Sequence, residues 1–204
     1  MSEYPPIADY AFLSDCEATC LIAPDSAVEW LCLPRPDSPS VFGSLLDRSA
    51  GSFRFAPDHV HAPSHRRYLP GSMVLETTWH THTGWMVIRD ALVMAPWTGG
   101  SRSAGRQRPP SDFTARGALV RTATCIEGQV DVFVDCLPLF DYGRSVGTWE
   151  YAGDGYNVAT CAQGKDGLTL RLGGTLPLGL TGARASSRVE LRKGQTGFIC
   201  LSWG

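Results

Sequence analysis

Apolar and polar residues alternate with a period of two, and this restricts the fold more than any other feature. Val130, Val132 and Val134 alternate with Asp131 and Phe133; Val120, Thr122 and Thr124 alternate with Arg121 and Ala123. Successive strand side chains point to opposite faces, so such stretches bury one face and leave the other to solvent. No segment keeps a 3.6-residue period for the roughly 10–12 residues of an ordinary helix. Runs such as GSFRFAP, GWMVIRDALVMAPW and FICLSW are separated instead by turn chemistry, including HTHTG and GKDG. A chain of 204 residues holds one large all-β domain or two small ones. The strands are antiparallel and too many for one open sheet, so two sheets packed face to face form a large β-sandwich.

One short helix is expected in SVFGSLLDR, where Val41, Leu45 and Leu46 have helical spacing and Ser38 or Ser40 can cap a turn. GALVRTATCIEGQVDVFVDCLP reads as two strands about a turn at Glu127-Gly128-Gln129. RVELRKGQTGFICLSWG reads as a last hairpin turning at Lys193-Gly194-Gln195. TGGSRSAGRQRPPSD, residues 98–112, reads as a long exposed loop; Arg102, Arg106 and Arg108, with Arg116 nearby, are solvated charges there rather than an RNA or anion site.

Charge and composition narrow the partners. The net charge is −2, so no basic field draws nucleic acid. No run approaches the ~18 apolar residues of a membrane span. MSEYPPIADY lacks the basic and apolar regions of a signal peptide, which points to a cytoplasmic protein. Seven cysteines include no CxxC and lie mostly in apolar strand patterns, as in TCLIAP and WLCLP; they read as buried thiols.

Motifs for nucleophilic, zinc or phosphate chemistry (GxSxG, HExxH, GxxxxGK[ST]) are missing. His59 with His61, and His80 with His82, put two imidazoles on one strand face, but neither pair has a carboxylate at a fixed offset, so they read as surface histidines. Asp15 with Glu17 and Glu29 with Asp37 are the acid pairs to weigh for glycoside chemistry, and they read as caps and solvated charges. No catalytic residue, metal ligand or cofactor site is assigned. WLCLPRPDSPSVFG is different: Pro34, Pro36 and Pro39 exclude helix and ladder pairing and hold Arg35, Asp37 and Ser38 on a stiff arm. Residue chemistry alone fits both a pair that ties the arm to its own domain and a pair presented to a partner.

IADYAFLSDCEATCLIAPDSAVEWLCLPRPDSPSVFGSLLDRSAG resembles the opening of bacterial glycoside hydrolase family 15 proteins of the trehalase and glucoamylase-like type. RRYLPGSMVLETTWHTHTGWMVIRDALVMAPW, DCLPLFDYGRSVGTWEY and RVELRKGQTGFICLSWG resemble three further blocks of that family, in the same order. The second block is similar in detail to the trehalase branch. The resemblance implies a supersandwich-like N-terminal β-domain over residues 1–204, with a catalytic (α/α)6 barrel downstream that carries the acid and base glutamates. It implies that the parent protein hydrolyses α,α-trehalose with inversion, or else α-1,4-glucans as glucoamylases do. Arg35, Asp37 and Ser38 are then expected at the sugar-pocket rim, and Asp141, Tyr142 and Arg144 of FDYGR on the inter-domain face. Two departures stand out: Pro36 replaces a large apolar residue, and Asp25-Ser26-Ala27 replaces a Gly-rich turn. A rival reading is a stand-alone carbohydrate-binding module that stacks sugars on exposed Trp79, Trp85, Trp97 or Trp149.

Overall fold

The alternating runs become strands, and their burial follows the pleat. The computed structural model describes residues 4–94, 117–164 and 167–204; the 98–112 loop and Trp97 therefore lie outside the described residues. In chain order the strands are β1 (Ala11–Ser14), β2 (Thr19–Ile22), β3 (Ala27–Cys32), β4 (Ser40–Phe42), β5 (Ser52–Pro57), β6 (His65–Tyr68), β7 (Leu75–His80) and β8 (Gly84–Met94). They continue with β9 (Gly117–Leu137), β10 (Ser145–Val146), β11 (Trp149–Tyr151), β12 (Val158–Ala162), β13 (Thr169–Gly174), β14 (Gly179–Thr181), β15 (Arg184–Arg192) and β16 (Thr196–Trp203). A 3₁₀ turn at Ile7–Asp9 and a four-residue α1 at Phe140–Gly143 are the helical pieces among the described residues.

All pairings between these strands are antiparallel, and they build two sheets that share one strand. The first runs β1-β2-β3-β5-β9-β15-β14, with β4 also on β3. The second runs β6-β7-β8-β9-β16-β13-β12-β11. Their inner faces fill one apolar core that includes Phe42, Phe53, Phe55, Trp79, Met86 and Ile88. The all-β sandwich expectation holds.

Three local expectations do not. β9 is one bent strand and not two. Its first half pairs with β8 and β16, and its second half pairs with β5 and β15. The corner is Gly128 at φ 68, where a Cβ would run into the backbone oxygen of Thr83. Only glycine combines that left-handed backbone with so close an approach. Likewise β15 and β16 do not form a hairpin, because each enters a different sheet. Their turn is bonded to the β9 corner instead: Lys193 N–H donates to Gly128 O at 2.9 Å, and Gly194 N–H to Cys125 O at 2.8 Å. Finally, no helix forms at Ser40–Leu46. Phe42 sits opposite Leu31 and Ser40 opposite Cys32, so pairing with β3 outweighs the local spacing. Val41 and Phe42 are buried in that strand, while Leu46 is 66% exposed.

The two sheets are also linked by a charge. Arg121 and Asp90 face each other across β9 and β8, both side chains fully buried, with Nε of Arg121 2.7 Å from Oδ1 of Asp90. The remaining guanidinium nitrogens reach the other sheet, donating to Phe53 O and Ser26 O, each at 2.7 Å. Ser26 stands at φ 63 in the turn where the resemblance led us to expect glycine. Five cysteines are buried and Cys200 is partly so; Cys16 is exposed, and all seven are free thiols. Burial pushes the Cys161 thiol up to about 11, so it is neutral at pH 7.

Candidate functional site

The proline arm is the connection between β3 and β4. Leu33 is buried and anchors it, and Leu33–Pro34 is a cis peptide. The arm then folds into a tight turn: Ser38 N–H donates to Arg35 O at 3.1 Å, and Arg35 N–H donates to Ser38 Oγ at 3.3 Å. The Arg35 guanidinium closes on Asp37, with Nε donating to Oδ1 at 2.9 Å and Nη2 to Oδ2. That hydrogen bonding holds the Asp37 carboxyl below the usual carboxylate range and raises Arg35. Both side chains remain more than half exposed, at 51% and 67%. So the pair ties the arm to itself and stays open to solvent at the same time.

The FDYGR motif lies beside the same hairpin, and α1 packs against β4. Phe140 is buried, whereas Asp141 (φ 51) and Tyr142 (φ 57) are left-handed and turn the chain outward. The Tyr142 ring is 6.4 Å from the Trp30 ring on β3. Arg144 is exposed and its N–H closes the turn on Asp141 O at 3.1 Å. The structure therefore brings Arg35, Asp37 and Ser38 and Asp141, Tyr142 and Arg144 onto one end of the sandwich, around the β3–β4 hairpin. Their separation of roughly a hundred residues hides this in the sequence.

The other sequence candidates take structural places. Oδ1 of Asp15 accepts from the N–H groups of Glu17 and Ala18, at 2.9 and 2.7 Å, as a turn cap does. Glu29 is buried between Arg48 and Tyr10, whose hydroxyl donates to it at 2.5 Å. Burial first, and then this bond to Glu29, pushes the Tyr10 phenol up to about 12. His59 and His82 both line a cavity of about 280 Å³ near the β9 corner, together with Asp58, Asp131, Arg188 and Glu190. Among the described residues, however, no three His, Cys, Asp or Glu side chains form a metal-holding group. Trp79 and Trp149 belong to the core; Trp85 is 42% exposed, with His80 edge-on at 4.6 Å.

Sequence reasoning missed the two internal networks, Arg121–Asp90 and Tyr10–Glu29–Arg48. The signal for the first was present: Arg121 occupies an inward position between Leu119 and Ala123.

An antiparallel β-sandwich with a structured, partly exposed motif at one end is the class of domain that the fold defines. Comparison with known proteins makes the class specific. Residues 2–90 match the family described as trehalase-like, N-terminal. Over 204 aligned residues, 98% of the chain, it is 52% identical to a trehalase of Mycolicibacterium smegmatis and 52% identical to a trehalase of Mycobacterium tuberculosis. A trehalase 1 of Sulfolobus acidocaldarius is 38% identical over 74 residues, 36% of this chain and 13% of that protein. The chain is thus similar to trehalase N-terminal domains, and it spans 30% of the length of the two mycobacterial relatives. No helix among the described residues is long and apolar enough to cross a membrane.

Proposed function

We propose that this chain is the non-catalytic N-terminal domain of a cytoplasmic family 15 glycoside hydrolase that splits α,α-trehalose into two glucose molecules. The observation that carries the reading is the alignment of nearly the whole chain, at 52% identity, with 30% of the length of two proteins named trehalase. The free thiols support a reducing compartment.

The chemistry belongs to an (α/α)6 barrel in the remainder of such a protein. There one carboxylic acid protonates the bridging oxygen while one carboxylate activates water on the opposite face of the sugar. This domain supplies support. Asp141, Tyr142 and Arg144 meet the barrel, and Arg35, Asp37 and Ser38 reach the rim of its sugar pocket. The bidentate Arg35–Asp37 pair on its proline arm loses little entropy on engaging a neighbour.

The test is kinetic and uses the full-length enzyme. Trehalose, maltose and longer α-glucans are compared as substrates, and trehalose is expected to be the one turned over efficiently. Arg35→Ala and Asp37→Ala are expected to lower kcat/KM for trehalose by about tenfold, the cost of losing roughly one to two kcal/mol of positioning. Unchanged kinetics in well-folded variants would remove the pair from the rim; preference for maltose would replace trehalose by α-glucan.

A further inference from the structure

We infer that the docking face for the downstream part of the polypeptide centres on exposed apolar residues beside the arm, Leu46, Tyr142 and Val146, with Arg35 and Asp37 at its rim. The inference rests on the reading above and names the surface that reading requires. Leu46 is 66% exposed, Val146 67% and Tyr142 44%. Three contacts tie their segments to β3 and to α1. Tyr142 meets Trp30, Leu45 N–H donates to the oxygen of Glu29, the residue before Trp30, and Val146 bridges to Leu139 just ahead of α1.

The course of the chain says what covers this face. Trp203, the last residue of β16, lies opposite Leu170, and Leu170 opposite Cys161. Two strand spacings make about 10 Å between Trp203 and Cys161. A Cβ on Gly147 would lie 2.5 Å from Sγ of Cys161 and 2.9 Å from the Phe140 ring, so α1 and the 145–147 segment pack against that same row. Gly204 therefore sits at the end of the sandwich that carries Tyr142 and Val146. In the mycobacterial relatives the match takes up only 30% of the length, so most of each protein lies outside it. A polypeptide continuing from Gly204 starts beside this face.

Interface energetics assign the roles. Binding energy concentrates in desolvated aromatic and apolar residues at the centre, while solvent-exposed ion pairs at the edge contribute little. Arg35 and Asp37, more than half exposed and bonded to each other, have the character of a rim.

The experiment compares hydrogen exchange in the 204-residue chain and in the full-length protein, with trehalose hydrolysis assayed on the same full-length samples. Backbone amides at 44–47 and 140–147 are expected to exchange at least tenfold more slowly in the full-length protein. L46D/V146D is expected to remove that protection, whereas I126D, near the Gly128 corner at the other end, leaves it in place. All three positions are exposed, so the isolated chain should keep its Tm in each variant. Hydrolysis without protection at 44–47 and 140–147 would overturn the face and leave the trehalase reading standing. Protection without hydrolysis would support the face and count against trehalose as substrate.

Discussion

Replacing Arg121 by Met gives the sharpest test of how this sandwich is held together. The substitution keeps much of the volume and removes the charge. It leaves the Asp90 carboxylate at zero exposure without its 2.7 Å partner, and its Oδ2 already lacks a hydrogen bond among the described residues. Stranding one member of a buried pair costs about 3–5 kcal/mol. Losing the bonds to Phe53 O and Ser26 O, which join the second sheet to the first, adds roughly 1 kcal/mol more. A total of about 4–6 kcal/mol is a large share of the 5–15 kcal/mol that holds a typical domain. In urea, with a slope of about 2 kcal/mol/M, the midpoint should fall by roughly 2–3 M. R121M/D90L removes both charges and should recover at least about 2 kcal/mol of the loss. Recovery stops short of complete because, after burial, the field of Asp90 is the largest influence on Arg66. A loss below about 1 kcal/mol in R121M, or strict additivity in the double variant, would refute the reasoning.

Two further outcomes follow from the corner and from the Tyr10 cluster. Gly128→Ala should cost more than about 2 kcal/mol in urea denaturation, since it forces a left-handed alanine against a backbone oxygen that cannot move away cheaply. The Tyr10 phenol is raised in the fold from 10.0 to about 12, so its contribution is complete below pH 10 and is lost as pH rises from 10 to 12. Tyr10→Phe should flatten that part of the stability–pH profile, and an unchanged alkaline slope would contradict the assignment.

Much of this was readable in the sequence. Alternation marked the strands, and turn residues marked β7–β8 and β12–β13. Proline chemistry marked the arm. What failed has a common cause in non-local pairing. Gly128 looks like a hairpin turn because local chemistry cannot reveal that its flanking segments belong to two sheets. Lys193-Gly194-Gln195 looks like a hairpin for the same reason, though the N–H groups of Lys193 and Gly194 donate to β9. The spacing of Val41, Leu45 and Leu46 suggested a helix, but the place of Phe42 opposite Leu31 decided for strand. The candidate site was legible as two separate motifs. Their neighbourhood, and the exposure of Leu46 and Val146, depend on how α1 packs on β4.

The most direct test of the central claim is glucose release from trehalose, measured side by side for the 204-residue chain and the full-length protein. The account predicts steady release by the full-length protein and none above the uncatalysed rate by the chain alone. Release by the chain alone, or its absence from a folded full-length protein, would contradict it.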